Sequence, residues 1–391
     1  MAIADGSRRS EILPHVVQLR RWFHQHPELS YQEKDTAQHI MQELDRLQIP
    51  YRYGGVGRGV IARLTVDNAA PTIALRADMD ALPGNETTGV DYASVNEGAM
   101  HACGHGAHMA MLLEAARLLV ETPPANNVVF IFQPGEEKGG GSRTIIEDGA
   151  LQGVDAIFAG HVSHEYETGS VMVTAGTVTA QSDGFVLQIR GKGGHGARPH
   201  ETTDAVVIAG FMIVALQTLI SRESNPLHPS VVTIGAVHAG TAGNVIAEEA
   251  TLRGSIRTTR DESRNHIHAG IRRMADAAAL LHNARISVQI SEGYPPVVNT
   301  RREATIAWQA AEKVYGVDHV FGMEFPSMGS EDFSYYLQHV PGCFVRFGAR
   351  RRDWEPVPLH SPAFNIDEDM LPQGAEFLAE LARGYTRLGS N

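Results

Sequence analysis

The segment NVVFIFQPGEEKGGG (127–141) decides the fold of this chain. Its first six residues, 127–132, form a run rich in apolar and β-branched residues over the length of a buried strand, and a Pro-Gly turn and a glycine-rich stretch follow them. A second run of this kind, PTIAL, lies upstream at 71–75. Apolar residues at helical spacing surround these strands, at 9–25, 34–48, 107–121 and 301–315. Interleaved helices and buried strands predict an α/β fold with a mostly parallel sheet.

A second block of the chain has a different order of elements. It reads strand, helix, strand, strand, helix, strand, at GFVLQIRG (184–191), 204–220, VVTIGAVHAG (231–240), ATLRGSIRTT (250–259), 261–281 and ARISVQI (284–290). This order predicts a smaller α+β domain, a two-layer sandwich, inserted into the larger one. We therefore expect one domain of residues 1–182 and 293–391 and an inserted domain of residues 183–292.

Composition excludes several classes of protein. A chain of 391 residues exceeds what one hydrophobic core usually serves, which favours two domains. The balance of 33 Lys and Arg against 45 Asp and Glu gives a net charge of -12, which disfavours nucleic acid and anionic membrane as partners. Cys103 and Cys343 are the only cysteines and lie far apart in sequence, so no disulfide framework is indicated.

The hydropathy of the sequence indicates neither a secretory signal nor a membrane span. The N-terminal residues contain no apolar core and no cleavage site of a secretory signal, so we expect a cytoplasmic protein. The longest apolar run, Ala205 to Ile220, is 16 residues long, which is short for a membrane span and predicts a buried amphipathic helix. If its apolar face is not fully covered by the inserted domain, the helix would provide a dimer surface.

Chemically reactive side chains follow three predicted strands. Asp78 follows 71–75, Glu136 and Glu137 follow 127–132, and His161 follows VDAIFAG (154–160). Ligands of open α/β sheets bind beyond the carboxyl ends of the strands, so these residues are expected to converge on one site.

The segment HACGHGAH (101–108) supplies further metal-binding groups. Cys103 lies in a loop rich in glycine and histidine just before a helix, which favours a metal ligand over a buried apolar cysteine. His105 is best placed to share a metal site with it, and we expect His101 and His108 to play supporting or structural roles. In the Glu136-Glu137 pair, one carboxylate can bind metal while the other transfers a proton.

Nine motifs follow one another along nearly the whole chain, namely RRWFHQHPELSYQE (20–33), ALRADMDALP (74–83), MHACGHGAH (100–108), FQPGEE (132–137), GHVSHEYETGSV (160–171), GKGGHGARPH (191–200), GTAGNVIAEE (240–249), MGSEDFSYY (328–336) and PLHSPAFNIDEDML (358–371). In this order they resemble the amidohydrolase branch of the di-metal aminoacylase and carboxypeptidase family. That branch includes hippurate hydrolase, N-acyl amino acid aminoacylases and the plant auxin-conjugate hydrolases.

The resemblance implies a binuclear metal centre in the larger domain. Its ligands fall on Cys103, His105, Glu137, His161 and His360. Glu136 would be the general base, and Asp78 a supporting carboxylate. Two divalent ions per subunit are implied, with zinc expected and manganese, cobalt or nickel as alternatives, because this mixture of sulfur, nitrogen and oxygen donors suits such ions.

The resemblance also implies that the inserted domain acts as a lid and dimerisation domain and adds substrate-binding groups. His195 matches a histidine that approaches the developing oxyanion and that, in dimers, can come from the partner subunit. The alternative is a glycine-flanked histidine on a surface loop. Asn244 and Arg257 match substrate-binding positions, although Arg253 is equally basic, and backbone donors are expected from Gly329 and Ser330. A homodimer or higher homo-oligomer is implied.

One position departs from the family pattern. Relatives usually carry Asp directly after the Cys-Gly-His triplet, where this chain has Gly106, and its loss is expected to weaken the support of His105 or of the metals. The implied function is metal-dependent hydrolysis of the amide bond of N-acyl amino acids carrying N-acetyl, N-benzoyl or arylacetyl groups. A dipeptidase or carboxypeptidase and a catalytically silent binding protein are the alternatives.

Overall fold

The computed structural model describes residues 6–386 of the chain. Within this range the α-helices are α1 Gly6–Gln25, α2 Asp35–Arg46, α3 His105–Glu121, α4 Gly141–Glu147, α5 Ala205–Thr218, α6 Asp261–His282, α7 Arg301–Tyr315 and α8 Leu371–Gly384. Short 3-10 helices occur at Pro199–Glu201, Val317–His319, Asp332–Gln338 and Glu368–Met370, and a π-helical turn, Leu219–Glu223, continues α5.

The strands in the same range are β1 Tyr51–Tyr53, β2 Val60–Leu64, β3 Thr72–Asp78, β4 Leu82–Pro83, β5 Ala99–Met100, β6 Asn127–Gln133, β7 Ala156–Glu167, β8 Val171–Met172, β9 Gly176–Thr177, β10 Gln181–Arg190, β11 Gly194–His195, β12 Ser230–Ala239, β13 Val245–Ile246, β14 Glu249–Thr258, β15 Arg285–Glu292, β16 Val298–Asn299, β17 Val320–Phe321 and β18 Gly342–Arg350.

These elements pack into two compact units. The first comprises the described parts of Met1–Val178 and Asp332–Asn391 together with Val298–Phe325, and the second comprises Thr179–Val297 and Pro326–Glu331. The predicted inserted segment, 183–292, lies within the second unit, and its role as a lid and dimerisation domain stays a prediction.

The first unit is built on an eight-stranded mixed sheet with the order β1-β2-β6-β3-β7-β18-β8-β17. Its central strands β6, β3, β7 and β18 are parallel to one another, which confirms the α/β fold with a mostly parallel sheet. Strands β3 and β6 are buried at every residue, as expected for strands covered on both faces. Because parallel strands end at the same edge, β3 and β6 deliver Asp78 and the Glu136-Glu137 loop to neighbouring positions.

One strand is longer than the sequence indicates. His161 was expected to follow a strand, but it lies inside β7, which continues to Glu167. The reason is that the parallel neighbour β18 pairs with β7 past this point, with Arg346 opposite His161 and Phe347 opposite Val162. The expectation that His161 lies just beyond a strand end is therefore wrong.

The second unit is a four-stranded antiparallel sheet, ordered β12-β14-β10-β15, with α5 and α6 packed against it. Side chains of β10 alternate between buried and more exposed positions, so one face of the sheet meets the helices. Phe185, Leu187 and Ile189 of β10 pack in the same apolar cluster as Ile208 and Met212 of α5.

Helix α5 differs from its prediction in length and in burial. With its π-helical turn it spans Ala205–Glu223, 19 residues, so the helix is long and apolar enough to cross a membrane by length and composition alone. Only 33% of its most apolar window is buried. Ile208, Met212 and Leu216 face the sheet of the second unit, whereas Val206, Val207, Phe211 and Val214 are exposed on the opposite side. The helix is therefore only partly buried, and its exposed face is apolar.

Candidate metal centre

The predicted metal-binding side chains of the first unit come together at the end of β3 and β6. Cys103 and Gly104 precede α3, His105 begins it, Glu137 lies in the loop after β6, and His161 lies in β7. Gly104 has φ +90, and a Cβ on it would lie 2.3 Å from a methyl carbon of Val162, so only glycine lets the loop approach β7 this closely. Cys103, His105 and His161 are all buried.

Cys103 and His161 face each other across this close approach. The Sγ atom of Cys103 lies 3.3 Å from Nε2 of His161. On the other side of the ring, Nδ1 of His161 lies 2.7 Å from the carbonyl oxygen of Val162, which requires a proton on Nδ1. Burial, and then the neighbouring His108, hold the pKa of His161 well below its usual value. The neutral ring thus directs the Nε2 lone pair at the thiol, as a metal ligand would.

His105 is oriented in the same way by a backbone group. Its Nδ1 donates to the carbonyl oxygen of Asp80 at 2.8 Å. Its buried Nε2 has no hydrogen-bond partner in the part of the chain that the structure describes. That atom lies 4.0 Å from Oε1 of Glu137 and 3.8 Å from Oδ2 of Asp78. A buried ring nitrogen left without a partner beside carboxylate oxygens fits a bound cation.

Glu137 and His360 complete the set. Nε2 of His360 lies 3.3 Å from Oε1 of Glu137. His360 has φ +68, a left-handed conformation that a non-glycine residue adopts at a cost of about 1–3 kcal/mol. Its backbone N–H donates to the carbonyl oxygen of Ala102 at 2.9 Å, which ties this loop to the segment that carries Cys103. Strain at this histidine is consistent with a functional position.

Ligand atoms of these residues form overlapping groups whose members lie within 4.8 Å of one another, namely Cys103 with His105 and His161, Cys103 with Glu137 and His360, and His105 with Glu136 and Glu137. Donor atoms about 2.0–2.3 Å from one ion are separated by no more than about 4.6 Å, so each group is of the right size for an ion. We refer to Cys103, His105, Glu137, His161 and His360 as the five ligand candidates. Which of them bind metal stays a proposal.

The electrostatics of the group favour a cation. Burial, followed by the carboxylates of Glu137 and Glu136, raises the pKa of the Cys103 thiol well above its usual value. Burial opposes a charge on His105, but Asp78, Asp80 and Glu137 outweigh it and raise the pKa of this histidine to about 10. Negative charge therefore exceeds what the protein itself neutralises here, and a divalent ion would reverse both shifts.

Asp78, the proposed supporting carboxylate, also forms a group with His105 and His108 whose ligand atoms lie within 4.8 Å of one another. Its Oδ1 accepts from Nδ1 of His108 at 2.6 Å, while Nε2 of His108 accepts from the backbone N–H of Val162 at 3.0 Å. This chain of hydrogen bonds fixes the backbone beside His161. The supporting or structural role expected of His108 stays a prediction.

A buried polar network behind the site escaped the sequence analysis. Arg76 donates to Asp78 at 2.7 Å, to Gln133 at 2.9 Å and to Asp332 at 2.9 Å. The backbone N–H of Asp332 in turn lies 3.4 Å from Oε1 of Glu136. A charged Arg76 within an otherwise apolar strand was the signal that could have revealed this network.

Gly106 lies in the first turn of α3 and is buried. A Cβ at this position would lie 3.3 Å from Cβ of Phe23, 3.6 Å from the backbone nitrogen of His24 and 3.7 Å from the ring of His101. A side chain here would therefore project towards α1 and His101. His105 receives its support from the carbonyl group of Asp80, on the other side.

The predicted residues of the second unit form two separate clusters. In the first, His195 of β11 pairs with Val245 of β13, and the N–H of Gly196 donates to the carbonyl oxygen of Asn244 at 2.9 Å. His195 is exposed, and its Nδ1 accepts from the N–H of Ala197 at 3.0 Å. The structure thus brings His195 and Asn244 together.

The second cluster contains Arg257 and Ser330. The guanidinium of Arg257 donates to Oγ of Ser330 at 2.6 Å, and burial lowers the pKa of this arginine. Arg253 is exposed, so the two arginines that the sequence left as alternatives differ in burial. The N–H of Gly329 donates to Oγ of Ser327 at 3.2 Å, and its expected role as a substrate donor stays a prediction.

Sheet register shows how far apart these clusters lie. Arg257 pairs with Ser182 near one end of the β14–β10 ladder, and Glu249 pairs with Arg190 at the other end. Beyond that second end the same two chain segments pair again as β13 and β11. The eight residue-to-residue steps from Glu249 to Arg257 span about 26 Å at roughly 3.3 Å per step. The two clusters of one chain therefore cannot contact the same small substrate.

Comparison with known proteins agrees with this chemistry. The model of the peptidase family M20/M25/M40 matches residues 74–384. N-acetyl-L-cysteine deacetylase of Bacillus subtilis is 38% identical over 373 residues, covering 94% of this chain and 87% of the relative. The IAA-amino acid hydrolase ILR1-like 4 of Arabidopsis thaliana is 37% identical over 386 residues, covering 97% and 87%.

A solved structure extends the similarity to the fold. The Bacillus subtilis YXEP protein, a dinuclear metal-binding peptidase of the M20 family, superposes with a TM-score of 0.82 at 34% identity, covering 95% of this chain and 98% of that protein. Together with the ligand groups described above, this similarity supports two divalent metal ions. The chain belongs to the peptidase family M20/M25/M40, a family of metal-dependent hydrolases.

Proposed function

We propose that this protein hydrolyses the amide bond of N-acyl amino acids and releases a carboxylic acid and a free amino acid. The observation that carries the proposal is the grouping of the five ligand candidates around a further carboxylate, that of Glu136. The names of the deacetylase and of the auxin-conjugate hydrolase support an acylated amino acid as the substrate. N-acetyl, N-benzoyl and arylacetyl groups are the proposed acyl groups.

Glu136 is the proposed general base. Its side chain is buried, and its backbone N–H donates to Oδ1 of Asp80 at 3.0 Å, so the residue has a fixed position beside His105 and Glu137. Glu136 takes a proton from the attacking water and delivers it to the leaving nitrogen. The two ions, when bound, polarise the substrate carbonyl and lower the pKa of the attacking water.

Zinc is the ion that the proposed donor set suits best. A buried thiol, three imidazoles and a carboxylate are the groups found in zinc sites, and magnesium or calcium would require oxygen ligands instead. Manganese, cobalt and nickel are the alternatives, because geometry and availability as well as affinity decide which metal is bound.

Substrate recognition is proposed to involve both clusters of the second unit, but from different subunits. A guanidinium such as that of Arg257 can pair with the free carboxylate of an N-acyl amino acid. His195 would stabilise the developing oxyanion, together with Asn244 as a substrate-binding residue. Because about 26 Å separates the clusters in one chain, at most one of them can serve that chain's own metal centre. A homodimer in which the other cluster serves the partner follows.

The exposed face of α5 supports such a dimer. Val206, Val207, Phe211 and Val214 form an apolar surface on a soluble-enzyme scaffold, and Val214 is 70% exposed. The adjacent strand β12 is an edge strand of its sheet, with Val231 and Val237 exposed. Surfaces of this composition are typical of protein interfaces.

Amide cleavage followed by mass spectrometry tests the proposed activity. Wild type, Glu136→Gln and Glu147→Gln, a control at an exposed glutamate of the following helix α4, are reconstituted with Zn²⁺, Mn²⁺ or Co²⁺. The substrates are N-acetyl, N-benzoyl and N-indoleacetyl amino acids together with simple dipeptides. We expect E136Q to lose roughly 10²-fold or more in turnover with unchanged metal content, and E147Q to resemble wild type. Cleavage of dipeptides alone would favour the peptidase alternative, and equal turnover by E136Q would refute the role of Glu136.

A further inference from the structure

Three consecutive backbone N–H groups hold the loop that carries the proposed general base. The N–H of Gly135 donates to Oε1 of Glu33 at 2.9 Å. The next two, of Glu136 and Glu137, donate to Oδ1 and Oδ2 of Asp80, each at 3.0 Å. Two buried carboxylates thus take all three donors, which fixes the backbone that carries the side chains of Glu136 and Glu137.

Glu33 is an unusual residue to find in this position. It is 1% exposed, and its Oε2 has no hydrogen-bond partner in the range that the structure describes. Burying a carboxyl group without full hydrogen bonding costs free energy. A carboxyl group at such a position therefore indicates a task that an apolar residue cannot perform. The task visible here is to accept the N–H of Gly135.

The segment around Glu33 contacts the site at two further points. Oγ of Ser30 donates to Oδ2 of Asp80 at 2.6 Å. Tyr31 adopts the left-handed conformation with φ 65, and its ring packs so closely on Gly135 that a Cβ there would lie 2.6 Å from the ring. Residues 30–33 therefore form a brace, a segment that is remote in sequence and that fixes both Asp80 and the loop after β6.

We propose that Glu33 is a positioning residue of the active site, which holds the Gly135–Glu137 backbone so that Glu136 can transfer its proton and Glu137 can bind metal. The proposal rests on the proposed function, since it assigns Glu33 a role towards that metal centre. Burial, followed by the Asp80 carboxylate, raises the pKa of Glu33 to about 7. Both forms of the carboxyl group can accept an N–H, so acceptor geometry and not charge is what the loop requires.

The test compares three variants. Glu33→Ala removes the acceptor, and Glu33→Gln keeps an acceptor oxygen without the charge. Glu28→Ala is the matched control, because Glu28 belongs to the same segment and also accepts backbone N–H groups, but those of Asp35 and Thr36 at the start of α2. Metal-depleted protein is titrated with Zn²⁺ by calorimetry, and kcat, KM and the melting temperature are then measured.

We expect E33A to bind Zn²⁺ about 10–100-fold more weakly and to lose a comparable factor in kcat, with little change in KM. E33Q should recover the wild-type Zn²⁺ affinity and kcat. E28A should lower the melting temperature, with Zn²⁺ affinity and kcat unchanged from wild type. Wild-type Zn²⁺ binding by E33A, equal damage in E33Q, or a parallel loss in E28A would overturn the proposal. A wild-type protein that binds none of Zn²⁺, Mn²⁺, Co²⁺ and Ni²⁺ would instead refute the proposed function on which it rests.

Discussion

The separation of the two substrate-binding clusters leads to a quantitative prediction about subunits. Arg257 lies about 26 Å along β14 from Glu249, at the end of the ladder that continues to the His195–Asn244 cluster, and this length exceeds the reach of an N-acyl amino acid. If His195 acts on the metal centre of the partner subunit, Glu136 and His195 of one active site come from different chains. His195→Ala and Glu136→Ala should then each inactivate the homodimer, and mixing the two should restore activity.

The expected recovery follows from counting. Random exchange of equal amounts makes half of the dimers mixed, and each mixed dimer contains one site with both residues intact, so activity should reach about one quarter of wild type. The assay mixes the purified variants under conditions of subunit exchange and measures amide cleavage per milligram, with each variant alone as the control. No recovery despite mixed dimers, shown with a mass tag on one variant, would refute the argument and place both residues of a site in one chain.

Three further predictions concern assembly and stability. Val214→Glu places a charge on the exposed apolar face of α5 and should shift sedimentation towards the monomer without changing metal content, and an unchanged sedimentation profile would argue against this face as the interface. Burial opposes the charge on Glu86, but hydrogen bonds from His24, Thr88 and Ser94 lower its pKa to about 2. The contribution of the Glu86 carboxylate to folding stability is therefore fully present above pH 4.5 and is lost as the pH falls from 4.5 to 2. E86Q should therefore lower the free energy of unfolding by about 2 kcal/mol at pH 6 in urea denaturation, with a gap that closes as the pH falls, and a constant gap would contradict this. Asp183 accepts two hydrogen bonds from Arg264 and one from His268, so D183N should cost about 3 kcal/mol and lower the melting temperature at unchanged metal content, and an unchanged melting temperature would show that the network is dispensable.

Local sequence patterns were sufficient for the fold because each element carries its own signal. The predicted helix at 301–315 coincides with α7, and the predicted strand at 127–132 forms all but the last residue of β6. Apolar periodicity determines such elements locally. The end of β7 could not be predicted in this way, because pairing with β18, nearly two hundred residues away in sequence, keeps it extended past His161.

From the residues alone, the site was predictable where strand ends bring residues together and where one short segment, 101–108, carries several metal-binding groups. Asp78 and the Glu136-Glu137 pair follow neighbouring parallel strands, so their proximity follows from topology. His360 reaches the site through an irregular loop and a left-handed backbone conformation, which no periodicity encodes, and it was found by resemblance alone. The roles of Glu33 and Arg76 depend on single hydrogen bonds over long sequence separations, and the distance between His195 and Arg257 required the register of the sheet.

The charge balance of the buried site explains why a cation belongs there. Arg76 neutralises Asp78, which also accepts a hydrogen bond from the neutral ring of His108. Asp80 accepts hydrogen bonds from the hydroxyl group of Ser30 and from the N–H groups of Glu136 and Glu137. Both aspartates are thus satisfied by the protein itself. Cys103 and His105 are not. Burial, followed by the carboxylates of Glu137 and Glu136, raises the pKa of Cys103 and keeps its proton on, and the neighbouring carboxylates keep a proton on His105 near neutral pH. Metal ligands must be deprotonated, so those protons have to leave when an ion binds.

Zn²⁺ binding at pH 7.5 should therefore release about two protons, one from Cys103 and one from His105. Calorimetric titrations in buffers of different ionisation enthalpy measure this number directly. Cys103→Ser should release about one proton fewer, whereas Cys343→Ser, at a buried thiol outside the site, should leave the number unchanged. A binding heat that does not depend on the buffer would mean that both groups are already deprotonated without metal. The carboxylates around Cys103 and His105 would then interact with these two groups too weakly to support the argument that the charge balance favours a cation here.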